Sequence, residues 1–238
     1  MAKNGTLEAR GATHGAGGEA KGRRRRGAPT ASRTRNPEGT RARILEAATR
    51  EFARSGLGGA RVDRIAERAD ANKRMLYYYF GDKDGLILAV LEHAYQGIRA
   101  AELELHLLDV PPVEGVRRLV EFTWRYYLAH PEFLTLLNSE NLHRARHLKR
   151  SKNIRATNSP LIATLAELLS RGAAAGTFRT GVDALQLYVS IAGLAYFYLS
   201  NNHTLSQVFD RDLATPAARG ERLLHMTALV TGFLTNGN

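Results

Sequence analysis

A chain of 238 residues with a formal net charge of +11, 44% hydrophobic residues and no cysteine already narrows the field. That apolar fraction supports a buried core in one large domain or two modest ones, and the missing cysteines exclude disulfide scaffolds, thiol catalysis and thiolate-bound zinc. The longest mostly apolar run, Leu187 to Leu199, has 13 residues, short of the ~20 that cross a bilayer. Met1 to Asn36 holds no hydrophobic segment of the secretory kind, so a soluble, cytoplasmic protein is expected.

The charge is uneven. Residues 1–39 carry nine Lys/Arg against three Glu, net +6; residues 40–85 carry ten against seven, net +3; residues 86–238 carry fifteen against thirteen, net +2. Phosphate binding by counterion release is the commonest use of such an asymmetry, and an anionic membrane surface would be served equally by charge alone. Residues 1–35 are rich in Gly, Ala, Thr and Arg, with Arg23, Arg24, Arg25 and Arg26 in a row. No period of 2 or 3.6 runs through them, which predicts a disordered basic arm. Such an arm is either a bare solvated tail or a source of nonspecific affinity along DNA phosphates.

From residue 36 onward the pattern is helical. Asn36-Pro37-Glu38 supplies a cap, a proline at the first helical position and an acid in the first turn; Thr40 is an equally good cap one turn later. Ile44, Ala48 and Phe52, with Leu45 and Ala47, form an apolar stripe that Gly56, Gly58 and Gly59 stop. Val62, Ile65, Ala66 and Ala69 follow at i, i+3, i+4 and i+7, one buried face of a short second helix. Asp70-Ala71-Asn72 is a tight connection in which Asn72 can cap a third helix, Lys73 to Phe80. Gly81 stops that helix and Asp82 can cap a fourth.

Three short helices with a three- or four-residue turn between the second and third make a helix-turn-helix, in which the third lies in a DNA major groove. Lys73 and Arg74 sit in the first turn of that helix, and the hydroxyls of Tyr77 and Tyr78 can donate to phosphate oxygens. Leu76 and Phe80 are expected in the core, Tyr79 equally in the core or at a contact, and Tyr78 at the DNA. The stretch Arg64 to Leu86, RIAERADANKRMLYYYFGDKDGL, resembles the TetR family of one-component bacterial regulators, strongly over residues 40–86. The resemblance implies that Asn72, Lys73, Arg74, Tyr77 and Tyr78 face DNA and that Lys83 meets phosphate at the start of the fourth helix. It also shows two departures. Asp70-Ala71 stand where the family usually has Gly-Val, and Asp tolerates the left-handed conformation such a turn needs. Ala60-Arg61 replace the usual Thr or Ser cap of the second helix, leaving Arg61 to reach a phosphate itself.

The rest reads as a bundle of longer helices: about Lys83 to Leu107, Val113 to Ala129, Pro131 through Leu148, Leu161 to Ala174 behind an Asn158-Ser159-Pro160 cap, Asp183 to Leu199, and Pro216 to about Thr235. The expected organisation is therefore all-α: a disordered arm (1–35), a helix-turn-helix DNA-binding domain (36–85) and a helical bundle (86–238). The family resemblance implies that the bundle binds a small effector and dimerises, usually through its last two long helices. The stretches Asn138 to His143 and Tyr196 to His203 more weakly resemble the pyrimidine-utilisation regulator branch, which implies a compact polar ligand.

Polar groups inside an apolar bundle mark effector contacts, and the candidates are Trp124, Tyr127, Asn138, Asn141, Tyr196 and Asn201; each of the aromatics could equally be a core residue. Glu140, His143 and His147 have the spacing E-x-x-H-x-x-x-H, which could offer a metal one carboxylate and two imidazoles from one helix face. Arg144, Arg146, Lys149 and Arg150 crowd the same stretch, so a solvated basic face is the preferred reading, with no metal and no cofactor. Enzyme motifs such as a phosphate loop or a nucleophile elbow are missing. The sequence thus predicts a ligand-responsive, homodimeric repressor released from a palindromic operator in double-stranded DNA by a small molecule, with no membrane partner. The rival is a nonspecific nucleic-acid- or membrane-surface-associated protein driven by the basic arm.

Overall fold

The structure, a computed structural model, describes residues 36–235; the arm expected at residues 1–35 lies outside them. Every regular element among the described residues is helical: α1 (Pro37–Gly59), α2 (Val62–Arg68), α3 (Lys73–Phe80), α4 (Lys83–Leu103), α5 (Pro112–Ala129), α6 (Pro131–Leu142), α7 (Ile154–Ala174), α8 (Ala184–Val208) and α9 (Pro216–Thr235).

The local signals hold well at the N-terminal end. Asn36, not Thr40, caps α1, its Oδ1 accepting from the Gly39 N–H at 2.9 Å; Thr40 Oγ1 instead accepts from Arg43. Gly56 breaks α1 at φ +69°, a conformation that costs a glycine little. Asp70 takes the left-handed conformation (φ +48°) that the turn between α2 and α3 requires. Asn72 Oδ1 caps α3 through the Met75 N–H (2.9 Å), and Asp82 Oδ1 caps α4 through the Gly85 N–H (2.6 Å). A Cβ at Gly85 would stand 2.1 Å from the Phe80 carbonyl oxygen, so only glycine lets α4 start so close behind α3. Arg61 occupies the N-cap of α2 with no side-chain cap.

Two apolar cores follow. The first joins α1, α2, α3 and the first half of α4 around Ile44, Phe52, Ile65, Leu76, Leu86 and Leu91. The second is the bundle, where α5 packs against α7, α8 and α9 around Leu119, Leu165, Leu168, Ile191 and Met226. α4 serves both, placing Val90 in the first and Ile98 in the second. Leu136 of α6, fully buried, belongs to the first core and couples the bundle to it. Phe80, expected in the core, is only half-buried, with the Arg41 guanidinium 5.3 Å from its ring centroid.

Four helix ends depart from expectation. α4 stops at Leu103 rather than Leu107, because a left-handed His106 (φ +46°) turns Leu107 into the core. Arg171 fixes that turn by donating to the carbonyls of Leu108 (2.6 Å) and Val110 (3.3 Å). α6 ends at Leu142, where Arg144 and Ala145, both at positive φ, reverse the chain. α7 begins at Ile154, so Pro160 lies inside it instead of opening it; the one lost backbone bond is outweighed by burial of Leu161, Leu165, Leu168 and Leu169 on a single face. α8 runs on to Val208, capped at its start by Asp183 (2.7 Å to the Gln186 N–H).

Candidate functional site

The first site is the outer face of α3. Its inner face is fixed by Leu76, and its outer face presents Lys73, Arg74, Tyr77 (44% exposed) and Tyr78 (78% exposed). Tyr78 is steadied by an edge-on contact with Tyr79, ring centroids 5.2 Å apart. Lys73 is not a free cation: its ammonium pairs with Asp63 of α2 at 3.0 Å, and the resulting hydrogen bond holds its pKa above the usual lysine value. Arg61 and Asn72 are exposed beside it, Asn72 with its side-chain oxygen used by the cap. Lys83 is half-buried and donates to the Gly58 carbonyl at 3.0 Å, tying the start of α4 to the glycine-rich end of α1.

Between α1 and α2 lies Glu51, a residue the sequence reading missed. It is fully buried, yet its carboxylate receives Arg68 at 3.0 Å, Arg64 at 3.6 Å, and the Arg61 N–H and Ser55 hydroxyl at 3.4 Å each. Charge and hydrogen bonds on all sides offset its desolvation. The effect is to brace α2 against α1, and with it the angle at which α3 is presented.

The E-x-x-H-x-x-x-H pattern departs from the expected solvated face at Glu140 and His147. Its residues do not share a helix, since α6 ends at Leu142. His143 is exposed, its Nδ1 2.7 Å from the Ser139 carbonyl. Glu140 and His147 are buried rather than solvated: Glu140 accepts the backbone N–H groups of His147 (2.7 Å) and Leu148 (3.0 Å), and its other oxygen lies 2.7 Å from His147 Nδ1. His147 Nε2 faces Asp84 of α4 at 3.6 Å, where Arg146 also pairs at 2.5 Å and holds the Asp84 carboxyl below its usual pKa. Glu140 thus shapes the chain reversal after α6 and fastens it to the first turn of α4, next to Lys83. Arg144, Arg146, Lys149 and Arg150 are exposed, as the basic-face reading expects.

The second site is in the bundle. A cavity of about 350 Å³ is lined by Tyr95 and Arg99 of α4, Tyr127 of α5, Phe133 and Leu137 of α6, and Tyr188 of α8, among others. Arg99 is buried and donates from Nη2 to the Tyr188 hydroxyl at 2.7 Å, its guanidinium 5.3 Å from the Tyr188 ring centroid. On its other side it borders a second cavity of about 610 Å³ that also takes in Glu102. Arg99 Nη1 is 2.8 Å from Glu102 Oε2, but without hydrogen-bond alignment: both Glu102 oxygens and Arg99 Nε are buried with no hydrogen-bond partner. Desolvation outweighs the neighbouring guanidinium and pushes the Glu102 carboxyl up to about 7. Burial likewise raises the phenols of Tyr95, Tyr127 and Tyr188, keeping them protonated as donors.

Of the six residues the sequence proposed for an effector, the structure brings only Tyr127 to this cavity. Trp124 is buried edge-on against Tyr198 (5.6 Å between centroids). The Tyr196 hydroxyl donates to Asn138 Oδ1, linking α8 to α6. Asn141 is exposed, and the Asn201 amide donates back to the Phe197 carbonyl of its own helix. Tyr95, Arg99, Glu102 and Tyr188 were missed. The usable signal was Arg99 and Glu102 set i, i+3 on α4, on the same side as Tyr95 and in line with the buried Val90, Leu91 and Ile98 of that helix.

The comparisons with known proteins agree with this architecture. The profile of bacterial regulatory proteins of the tetR family matches residues 44–90, and a tetracyclin repressor-like C-terminal domain matches residues 112–230. The HTH-type transcriptional repressor NicS of Pseudomonas putida is 40% identical over 200 residues, 84% of this chain and 94% of its own. This chain belongs to the TetR family. A second relative, the HTH-type transcriptional repressor SCO4008 of Streptomyces coelicolor, is 44% identical over 110 residues, 45% of this chain and 53% of its own. The crystal structure of SCO4942 from Streptomyces coelicolor, 24% identical, shares the fold with a TM-score of 0.62 over 82% of this chain and 98% of that one. As a TetR-family protein, the chain is a DNA-binding transcriptional regulator with an N-terminal helix-turn-helix and a C-terminal helical domain. Among the described residues no helix is long and apolar enough to cross a membrane.

Proposed function

We propose that this TetR-family regulator is a cytoplasmic homodimeric repressor, that its two α3 helices enter successive major grooves of a near-palindromic operator, and that a small molecule in the bundle releases it. The observation that carries the DNA reading is the outward face of α3, where Arg74, Tyr77 and Tyr78 stand exposed on a helix whose other side is locked into a core. Arg61, Asn72 and Lys73 border that face. Lys83 lies where free N–H groups of α4 also attract phosphate. Repression is supported by the relatives NicS and SCO4008, both named as transcriptional repressors.

The dimer reading rests on apolar surface that one chain leaves uncovered. Leu185, Val189 and Phe197 of α8, spaced on one stripe, are about half exposed, as are Leu229 and Phe233 of α9, with Leu224 more so. Buried Leu187, Ile191 and Ala195 occupy the opposite stripe of α8. A helix apolar on both sides needs a second surface to cover it. Release then follows from differential binding: a ligand favouring a bundle arrangement that misplaces the two α3 helices lowers DNA affinity by that preference alone. Glu140, His147 and Asp84, together with Leu136, are the fixed contacts through which a shift in α6 reaches α4.

Selection of bound fragments from sheared genomic DNA at near-physiological salt tests the proposal. An inverted repeat is the expected result, and it must survive deletion of residues 1–35 while overall affinity and salt slope fall. Loss of all sequence preference on that deletion would establish the arm-driven, nonspecific rival instead.

A further inference from the structure

We infer that the cavity at Arg99 takes a small, flat organic monoanion, with the Arg99 guanidinium holding its carboxylate and the tyrosines holding its body. The inference deepens the effector-responsive reading above and rests on it.

The charge facing the cavity decides the sign of the ligand. Arg99 and Glu102 are both buried, but only Arg99 borders the 350 Å³ tyrosine-lined space; Glu102 borders the neighbouring one. The hydroxyl of Tyr188 already bonds the guanidinium, while Nε is left without a partner. An arginine in that condition lacks the two-pronged acceptor its planar fork is built for. Glu102 is a poor substitute: it approaches Nη1 out of alignment and its own two oxygens stay unsatisfied. Arg99 is thus a cavity-lining cation whose pairing with Glu102 leaves both carboxylate oxygens without an aligned donor, and an incoming carboxylate competes with Glu102 for the guanidinium.

The walls decide shape and size. Tyr127 and Phe133 lie nearly parallel, 5.8 Å between centroids and 29° between planes, and Tyr95 meets Phe133 edge-on at 5.7 Å. Leu137, Ile162, Ala192 and the half-exposed Leu185 complete an apolar lining. An apolar cavity of roughly 150 Å³ holds benzene, so 350 Å³ accommodates one ring with a carboxylate and a small substituent. The cavity draws on α4, α5, α6, α7 and α8 at once, which is where a ligand can alter the bundle and, through α4 and α6, the DNA-binding end.

A charge series on one ring tests this: calorimetric titration of the full-length protein with benzoate, benzamide and benzylamine. Benzoate is expected to bind about tenfold or more tightly than benzamide, the ratio of a charge-assisted to a neutral hydrogen bond, with benzylamine weakest. Arg99→Lys, which keeps the charge but loses the fork, should erase most of the preference for benzoate, and Glu102→Gln, which removes a competing anion, should preserve or strengthen it. The second variant keeps the test open if the first does not fold. Equal binding of benzoate and benzamide, preference for benzylamine, or no benzoate heat up to about 10 mM, ten times a millimolar fragment Kd, overturns the inference. Release from the selected operator is measured on the same samples. Benzoate binding without release would leave the anion site standing and sink the effector reading; release by a neutral or cationic molecule would do the reverse.

Discussion

Glu51 and Glu102 are the same residue, comparably buried, in the two halves of one molecule, and they live in opposite electrostatic conditions. In the helix-turn-helix region Glu51 meets Arg68, Arg64, a backbone N–H and a hydroxyl, every one of them supplied by the chain itself. In the bundle Glu102 sits against one misaligned guanidinium with both oxygens unsatisfied, and its carboxyl is pushed up to about 7. Satisfied buried charge rigidifies; unsatisfied buried charge is tolerated where something else is meant to bind. The helix-turn-helix region thus satisfies its buried carboxylate from within, and the bundle leaves its own without an aligned donor.

The sharpest way to break the contrast is Glu51→Ala. Stripping two arginines and an amide of their acceptor should lower stability by about 3 kcal/mol in denaturant unfolding and abolish operator binding; a loss under about 1 kcal/mol would show that the brace is dispensable. Tyr78→Ala comes next. It should weaken operator binding by roughly tenfold, about 1.4 kcal/mol, with an unchanged melting temperature, because its ring is 78% exposed. Arg74→Ala should act by a similar route and flatten the salt dependence of binding by about one unit of slope. If binding is unaltered in both, α3 does not present this face to DNA.

Glu102→Gln probes the other half through pH. A carboxyl whose pKa rises from 4.5 to about 7 on folding stabilises the fold fully below pH 4.5, and that contribution is lost as pH climbs to about 7. Melting temperature measured across that window should show a component falling with pH in the wild type that Glu102→Gln removes; an identical slope in the two proteins would mean Glu102 titrates as an exposed acid. The smallest effect expected is that of Asn201→Ala, whose amide only bonds the carbonyl one turn back. It should change stability by less than about 0.5 kcal/mol, while Asn72→Ala, which removes the α3 cap, costs about 1 kcal/mol. A ligand response lost in Asn201→Ala would return that residue to the site.

How far the sequence was readable follows the range of the interactions. The caps at Asn36, Asn72, Asp82 and Asp183, the breaks at Gly56 and Gly81, and the turn at Asp70 all involve groups three or four residues apart, so the pattern displays them directly. α3 could be placed to the residue, and its outward side chains with it. The helix ends that were misplaced are those set from a distance: Leu107 is drawn in by the bundle, Pro160 is carried inside α7 by the burial of four leucines, and the reversal that cuts α6 short is held by Asp84 of α4 through Arg146 and His147. The paired histidines illustrate the same limit. Their spacing suggested one helix face, and a chain reversal turned it into a buried bond between Glu140 and His147.

By itself, then, the sequence determined the helical character of residues 36–235 and a helix-turn-helix with the exposed side of α3, because local hydrogen bonds and hydrophobic period fix those features, while the stretch from Arg64 to Leu86 carried the resemblance to a regulator family. Only the tertiary structure decided which polar residues of the bundle share a cavity. Tyr95 and Arg99 come from α4, Tyr127 from α5 and Tyr188 from α8, and they meet because helices far apart in sequence pack side by side. It also decided that Glu51 is satisfied and Glu102 is not, since desolvation and partners are properties of the packed interior, which no run of neighbouring residues contains.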